Sequence, residues 1–574
     1  MKVQRRRQTP HATGLRRPFD AATSAAAVAG LVVLLLGTSE LGDRAPLAFL
    51  MANLAVLGVF AVDIVARFVT SPDKRAHLRG NWLDFVVLLP LLQYVGGVED
   101  GPWSVGARQA AILVMLFTRT RRVQRLFASF ALNPAQLMVL TFLGAIYVGT
   151  VLLMLPAATA SGQQAGLVDA FFTATSATCV TGLIVVDTAT HFSRFGQLVI
   201  LGLIQTGGLG IMTFSVSLAL LAGREVRLKQ QAAMQDIMDQ ERLAGIRRLV
   251  LFIVGLTALA EAVGACVLFF AWTDLVPEAG PRLYHACFHA VSAFCNAGFS
   301  TFSDSLVRFR AHAATNITVC LLIVCGGLGF SVFRDLGRFG RERWRTRGRR
   351  HLKLSVQTQL ALGTSLLLIG LGAATLTVFE ARESFQGLSM AERGWSAFFQ
   401  SVSTRTAGFN TCDIGALSSA TLVLMMVLMF IGASPGSTGG GVKTTTVAVI
   451  SYAVRANLTR RQHVEVCGRT LPWEVLQKAI TVLALSLATV GVFAVALLYT
   501  ESQPIGDILF ETVSAFGTVG LSTGITPELT MPGRILVALL MFVGRLGPLT
   551  IAYSLVRFRR PARYRYAEER VMIG

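Results

Sequence analysis

The sequence has little charge for its length and lacks the motifs of common hydrolases. Only 15% of its 574 residues are charged, whereas a soluble protein carries about 25%, so much of the surface is expected to face something other than water. There is no HExxH or GxSxG motif and no pair of carboxylates in a plausible cleft, so no enzyme activity is predicted. The eight cysteines form no CxxC pair and are expected to be small buried hydrophobic side chains.

Apolar sequence is what the chain has in abundance. Hydrophobic residues make up 53% of it, and apolar runs lie at 137–155, 249–272, 360–379 and 479–499. Each run is long enough to cross a hydrocarbon core about 30 Å thick. We therefore predict an all-α membrane protein with about twelve transmembrane helices, four before residue 131 and eight after it.

The basic residues are distributed as in a membrane protein rather than a nucleic-acid-binding protein. The net charge is +20, which first suggests nucleic-acid binding. However, the Lys and Arg residues form short blocks between apolar segments, which is typical of cytoplasmic loops. The blocks lie at 1–17, 67–79, 119–125, 224–248, 334–353, 455–469 and 557–565. We predict no nucleic-acid partner and two cytoplasmic termini.

The block at 334–353 carries nine basic residues. This density is compatible with fixing the membrane topology, with binding anionic lipid headgroups, or with docking a cytoplasmic partner. The sequence leaves these three interpretations open.

Four short segments resemble one another and reveal an internal repeat. They read FFTATSATCVTGLI, CFHAVSAFCNAGFS, FFQSVSTRTAGFN and FETVSAFGTVGLS, and they share Gly182, Gly298, Gly408 and Gly520, which are 116, 110 and 112 residues apart. A serine precedes the glycine by six positions in three copies and by five in the third. Each segment is too short to cross a membrane and lies between long apolar helices, so we predict a re-entrant half-helix followed by an extended strand.

Glycines at equivalent positions of four such segments favour a cation-selective filter. A cation that sheds water needs replacement ligands, and backbone carbonyls serve when several point at one axis. Glycine reaches the required backbone torsions without steric cost. The predicted ion-binding tripeptides are Val180-Thr181-Gly182, Asn296-Ala297-Gly298, Thr406-Ala407-Gly408 and Thr518-Val519-Gly520.

From about Asn133 to the C-terminus, these segments resemble the Trk/Ktr/HKT superfamily of potassium transporters, most closely the bacterial Ktr-type and Trk-type membrane subunits. The resemblance implies four pseudo-symmetric helix–pore loop–helix repeats around one pore, with K⁺ at the filter and no organic cofactor. It also implies a homodimer in the bacterial inner membrane, with a cytoplasmic ring of nucleotide-binding RCK-type regulatory subunits. In plant relatives a serine in place of the first filter glycine accompanies sodium transport. Gly182 therefore favours potassium uptake, with a sodium-permeable or weakly selective cation transporter of the same fold as the alternative.

A glycine-rich interruption of the apolar segment at 420–453 is the candidate gate. The stretch 432–446 contains a proline and three successive glycines, which do not sustain a regular helix. A flexible kink is the simplest alternative, and a phosphate-binding loop is disfavoured because Val442 stands where its lysine is required. The resemblance implies an intramembrane gate below the filter, aided by an arginine of the last helix, although that arginine is equally compatible with a structural anchor. The gate residues are Gly436, Gly439, Gly440, Gly441, Lys443 and Arg545.

An additional region at 18–130 precedes the repeats. Its apolar segments resemble a voltage-sensor domain, with Arg119, Arg122 and Arg125 spaced to form one stripe of a helix. Because the outer half of that helix carries no charge, we expect a voltage-sensor-like fold used for structure or regulation. The predicted division is 1–17 (basic N-terminus), 18–130 (four-helix region), 131–228, 229–340, 341–465 and 466–574 (repeats 1 to 4, the last with a short tail).

Overall fold

The computed structural model describes residues 134–221, 246–346 and 353–555. The predicted voltage-sensor-like region at 18–130 and the basic blocks at 1–17 and 557–565 lie outside the described residues. A long helix, a short helix and a further helix follow one another four times along the described chain. The long first helices are α1 (Pro134–Leu153), α5 (Ile246–Ala271), α9 (Val356–Glu380) and α13 (Trp473–Thr500).

The short second helices each end at one of the predicted filter tripeptides. They are α2 (Leu167–Cys179), α6 (Ala279–Cys295), α10 (Met390–Ser403) and α14 (Ile505–Gly517). The third helices of the four segments are α4 (Arg194–Leu221), α7 (Ala313–Leu328), α11 (Ser419–Phe430) and α15 (Met531–Leu546). Further helices follow as α3 (Thr188–His191), α8 (Phe330–Arg345), α12 (Thr444–Leu458) and α16 (Pro548–Leu555).

Four described helices, Ala135–Leu153, Val250–Ala271, Val356–Glu380 and Trp473–Thr500, are long and apolar enough to cross a membrane. The number rises to six if each of two sharply bent helix pairs is one span. In α9, Leu366, Leu367 and Val378 are 71%, 67% and 72% exposed. A helix that is apolar all round and exposes large aliphatic side chains is suited to lipid rather than water. The chain is a multi-pass membrane protein.

The starts of the third helices are held by the ends of the first helices. Glu380, the last residue of α9, accepts hydrogen bonds from the backbone N (3.1 Å) and Oγ (2.7 Å) of Ser418, the N-cap of α11. Glu501 at the end of α13 accepts in the same way from the backbone N (3.0 Å) and Oγ1 (2.5 Å) of Thr530, the N-cap of α15. In the third and fourth segments, these carboxylates join the two helices that flank the short helix.

The described residues divide into two compact units. One comprises Ile146–Ala174 and Val186–Ile200, and the other comprises the remaining described residues. In the first unit, Thr159 and Phe192 form an antiparallel bridge, and the Ser193 backbone N donates to Ala158 O at 2.9 Å. All twelve predicted filter residues lie in the second unit.

The core of the second unit lies around the short helices. Its largest buried side chains are aromatic, with Trp272 stacked on Phe309 at a centroid distance of 5.0 Å. Trp272 Nε1 also donates to Thr315 Oγ1 at 2.9 Å. A two-stranded hairpin pairs β1 (Glu465–Val466) with β2 (Arg469–Thr470) inside the basic block at 455–469, and Cys467 and Gly468 at positive φ supply its two-residue turn.

Candidate ion pathway

The four filter tripeptides share one backbone conformation. In each, the first residue and the glycine have positive φ, and the residue between them does not. The first residues are Val180 (56°), Asn296 (62°), Thr406 (72°) and Thr518 (50°), and the glycines are Gly182 (96°), Gly298 (71°), Gly408 (78°) and Gly520 (92°). Three of the first residues are β-branched, for which positive φ is a strained conformation. The same conformation at four equivalent positions, strained in three of them, indicates that the surrounding structure imposes it.

The glycines form a closed ring in the order of the sequence. A Cβ added to Gly182 would lie 2.5 Å from Ala297 O, and one added to Gly298 would lie 2.8 Å from Ala407 O. A Cβ on Gly408 would lie 2.5 Å from Val519 O, and one on Gly520 would collide with Thr181 O, which returns to the first tripeptide. No side chain fits at any of the four positions without displacing a neighbouring carbonyl.

The carbonyl oxygens of this ring lack protein partners. Among the described residues, none of the twelve tripeptide carbonyls accepts a hydrogen bond, although ten of the twelve residues are buried and Gly298 and Gly520 are half-buried. Buried carbonyls in folded proteins are paired in more than about 90% of cases. Twelve unpaired carbonyls around one ring are therefore a specific property of this site.

The repeated serine holds each tripeptide against its short helix. Ser176 Oγ and Ser514 Oγ accept from the backbone N of Gly182 (3.1 Å) and of Gly520 (3.2 Å). In the other two copies, Ser292 Oγ donates to Phe299 O at 2.8 Å, and Ser403 Oγ donates to Phe409 O. The turn of the third copy closes between Ser403 O and Ala407 N, four residues apart, whereas the other copies span five. The sequence comparison had indicated the same one-residue difference.

A second polar position of the short helices was not predicted. It lies nine residues before the glycine, or eight in the shorter third copy, and its occupants Thr173, His289, Gln400 and Glu511 are all buried. His289 Nε2 lies 2.9 Å from Ser300 Oγ, and Glu511 accepts from Thr526 Oγ1 at 2.5 Å. Both partners follow the glycine of their own segment. Aligning the four segments at every position, rather than at glycine and serine alone, would have revealed this pattern.

The predicted gate stretch forms a loop between α11 and α12. The loop closes on itself through Gly432 N, which donates to Val442 O at 2.9 Å, and Val442 N, which donates to Phe430 O at 3.2 Å. Gly436 has a positive φ of 71°, and its carbonyl accepts from Phe330 N at 3.1 Å.

The tip of this loop contacts three of the four segments. Gly440 N donates to Thr518 Oγ1 at 3.1 Å, and a Cβ on Gly439 would collide with Thr406 Oγ1. Thr438 N donates to Gly326 O at 3.2 Å. The loop therefore lies directly against the first residues of the third and fourth tripeptides.

Two predicted gate cations bind carbonyls of the loop. Lys443 Nζ donates to Gly439 O at 2.7 Å and to Gly440 O at 3.4 Å. The Arg545 guanidinium donates through Nη1 to Thr438 O and through Nη2 to Gly207 O of α4. A charge inside an apolar span is costly unless polar groups surround it, and here loop carbonyls supply those groups. The contacts support the anchor interpretation of Arg545 and also place its charge beside the loop.

A third cation near the loop was not predicted. Arg405, in the turn before the third tripeptide, is only 8% exposed. Its guanidinium donates to Ser365 O at 3.3 Å and to Gly432 O, where the loop begins, at 3.5 Å. The repeat did not reveal Arg405, because this residue lies in the turn before Thr406, and that turn is one residue shorter than in the other three copies.

The repeated GxxG pattern of the third helices has two roles. Its first glycine allows close packing, because a Cβ on Gly207, Gly326 or Gly544 would collide with a carbonyl of the adjoining short helix. Its second glycine breaks the helix, with φ of 72° at Gly210, 89° at Gly329 and 82° at Gly547. The last two breaks bend the chain by 94° and 92°. Close packing, which is what a pattern of spaced glycines in an apolar helix predicts, accounts only for the first glycine.

Comparison with known proteins identifies the family. The model of the TrkH family, described as cation transport protein, matches residues 119–560. The chain belongs to this family. It is 39% identical over 448 residues to Ktr system potassium uptake protein B of Bacillus subtilis, covering 77% of this chain and 97% of that protein. It is 40% identical over 441 residues to the protein of the same name from Vibrio alginolyticus, covering 76% and 94%.

The fold and the N-terminal region are also matched. The potassium transporter TrkH from Vibrio parahaemolyticus superposes with a TM-score of 0.62 at 18% identity, covering 83% of this chain and 96% of that one, so it shares the fold. A second family model, described as ion transport protein, matches residues 16–158. This match agrees with the resemblance of residues 18–130 to a voltage-sensor domain.

Proposed function

We propose that this chain mediates potassium uptake through the ring formed by Gly182, Gly298, Gly408 and Gly520. The observation that carries the proposal is the set of twelve tripeptide carbonyls without protein partners among the described residues, ten of them on buried residues. Such carbonyls can coordinate K⁺ in place of the water that the ion loses on entering the ring. Here K⁺ is the substrate and not a resident cofactor. The proposal includes pseudo-symmetry of the four repeats around the ring axis, and the cyclic order of the glycine contacts supports it.

The names of the relatives support the ion. Both Ktr proteins are named for potassium uptake. A relative from Enterococcus hirae is named a potassium/sodium uptake protein. It is 36% identical to this chain over 457 residues, which cover 77% of this chain and 98% of the Enterococcus hirae protein. A sodium-permeable transporter of the same fold is therefore the second candidate.

Uptake of rubidium by a potassium-auxotrophic cell tests the ion. We expect this chain to restore growth on low potassium, and excess sodium to compete weakly with rubidium. Gly182→Ser should increase competition by sodium. If sodium competes equally with rubidium in the unmodified chain, the second candidate replaces the first.

We further propose that the loop from Gly432 to Lys443 is the gate, with Gly436, Gly439, Gly440, Gly441 and Arg545. Its support is the contact of Gly440 with Thr518 and the binding of Arg545 to the loop carbonyl of Thr438. Because the loop lies against the ring-forming segments, an ion that leaves the ring has to pass it. The charge of Arg545 opposes that passage as long as the loop keeps its position.

The assembly and topology complete the proposal. The relatives are named as proteins of a "Ktr system", which supports the presence of further components. We propose that the chain forms a homodimer that binds a cytoplasmic ring of nucleotide-binding RCK-type subunits. We also propose a bacterial inner-membrane location, about twelve crossings and two cytoplasmic termini. Residues 18–130 are proposed to be a voltage-sensor-like unit with a structural or regulatory role. Flux that depends steeply on membrane potential, and loses this dependence in Arg119→Gln, would show that the unit senses voltage.

A further inference from the structure

The helix α8 (Phe330–Arg345) has the geometry of a membrane-surface element. It follows α7 after a bend of 94° at Gly329. Its first turns lie beside the start of the span α9, since the Ser355 backbone N donates to Asp335 Oδ2 at 2.9 Å and Gln357 Nε2 donates to Ser331 Oγ at 3.2 Å. A helix that joins the end of one membrane helix to the start of the next, and is perpendicular to the first, runs along the membrane surface.

Four of the five arginines of α8 lie on one side of the helix. Arg334, Arg338, Arg341 and Arg345 are four, three and four residues apart, which places them in a single stripe, and all four are exposed. Val332, Leu336 and Phe339 have the same spacing on the opposite side, and Val332 is buried. This combination of a basic face and an apolar face is typical of helices that lie in the membrane interface.

The acidic residues of α8 do not neutralise the stripe. The helix contains five arginines and two acids. Asp335 accepts from the start of α9, and Glu342 pairs with Arg338 at 3.0 Å. An excess of positive charge remains at the C-terminal half, where Arg347, Arg349 and Arg350 follow in the sequence.

An aromatic side chain beside the stripe favours lipid over a soluble partner. Trp344 is 83% exposed, and tryptophan is enriched at the headgroup level of membranes. Arg343, next to it, lies over the Phe339 ring at 6.0 Å from the centroid, so its stem follows the apolar face. We propose that α8 is a binding surface for anionic lipid headgroups, with Trp344 inserted at the interface and the arginine stripe bound to phosphates.

Quenching of Trp344 by brominated lipids tests this proposal directly. The full chain and a Trp344→Phe variant are reconstituted in vesicles of phosphatidylcholine with 30% phosphatidylglycerol, in which either lipid carries the bromine. The difference between the two proteins isolates Trp344 from the five other tryptophans. We expect brominated phosphatidylglycerol to quench Trp344 more strongly than brominated phosphatidylcholine at equal bromine content. The preference should fall as salt rises from 50 to 500 mM, and free glycerol phosphate at millimolar concentration should not remove it.

A triple variant and a matched control assign the effect to the stripe. Arg338→Gln, Arg341→Gln and Arg345→Gln together should reduce the preference by about tenfold or more, since each arginine near an anionic surface contributes about fivefold. The control Arg455→Gln, Arg460→Gln and Arg461→Gln removes the same charge from another basic block and should keep the preference. Equal quenching by both lipids, or equal loss in the control, would overturn the proposal. Absence of quenching by either lipid would also overturn it and would favour a soluble protein as the occupant.

Discussion

The ring and the loop beside it differ in the way they use the repeat. The ring is built four times from one backbone conformation, with a glycine and a serine in each copy. Among the described residues, the loop occurs in the third segment only and contacts the four segments unequally: its glycines lie against Thr406 of its own segment and Thr518 of the fourth, and Arg545 bridges Thr438 of the loop to Gly207 of the first. A fourfold arrangement suits the coordination of a spherical ion, whereas a single loop gives one place at which passage can be controlled. We therefore propose that selectivity belongs to the repeated part and control of flux to the unique part.

The largest effect is expected from a methyl group in the ring. Gly298→Ala forces a side chain to a φ of 71° and to 2.8 Å from Ala407 O, so rubidium uptake should fall by at least about tenfold, since one misplaced ligand is costly in a preorganised site. Gly255→Ala is the control, because its Cβ would meet nothing within 4 Å and uptake should be unchanged. Normal uptake in Gly298→Ala at equal expression would separate the ring from ion passage.

The second-largest effect is expected from the loop, where a substitution should increase the ion flux instead of lowering it. Arg545→Ala removes a charge from beside the loop and the hydrogen bonds that join Thr438 of the loop to Gly207 of α4, so thallium flux into proteoliposomes should rise several-fold, with the preference for potassium over sodium retained. Arg534 lies at the other end of α15 and also donates to carbonyls, those of Leu529 and Pro527, so Arg534→Ala is the matched control without an increase. A fall in flux in Arg545→Ala would mean that the arginine only anchors the structure.

The third effect should change selectivity more than rate. In Ser514→Ala the half-buried backbone N of Gly520 loses its acceptor, at a cost below the roughly 1–3 kcal/mol of a fully buried donor. We expect a moderate loss of potassium preference over sodium in bi-ionic flux measurements. Ser514→Thr, which retains the hydroxyl, should recover most of it. An unchanged preference in Ser514→Ala would show that the ring holds its shape without the serine.

The smallest effect on ion transport is expected from a residue that lies outside both the ring and the loop. Glu501→Gln weakens the capping of α15 and should lower the free energy of unfolding by about 1–3 kcal/mol, the usual contribution of hydrogen bonds to a charged group. The ion selectivity should not change. Thermal unfolding and bi-ionic flux on one preparation provide the check. A changed selectivity would mean that the frame of the repeat, and not only its ring, determines the ion.

The sequence revealed the ring more completely than its surroundings. The glycines and serines repeat, and a repeat is visible without knowledge of the fold. Arg405 and the contact between Gly440 and Thr518 do not repeat, and their roles depend on which segments become neighbours in space. Glu511 occupies a repeated position, but the residue type there differs in every copy, which conceals the pattern. The helix breaks at Gly329 and Gly547 were hidden for another reason, because a GxxG pattern predicts close packing and gives no sign of a positive φ.

The most direct test of the ring is the position of a bound ion. The purified chain is studied by crystallography in thallium and in sodium salts, and anomalous scattering locates thallium, which resembles K⁺ in size. We predict thallium on the ring axis, within coordination distance of the carbonyl oxygens of Thr181, Ala297, Ala407 and Val519, and a weaker or absent ion at that position in sodium. Thallium bound only by side chains outside the four tripeptides would contradict the account.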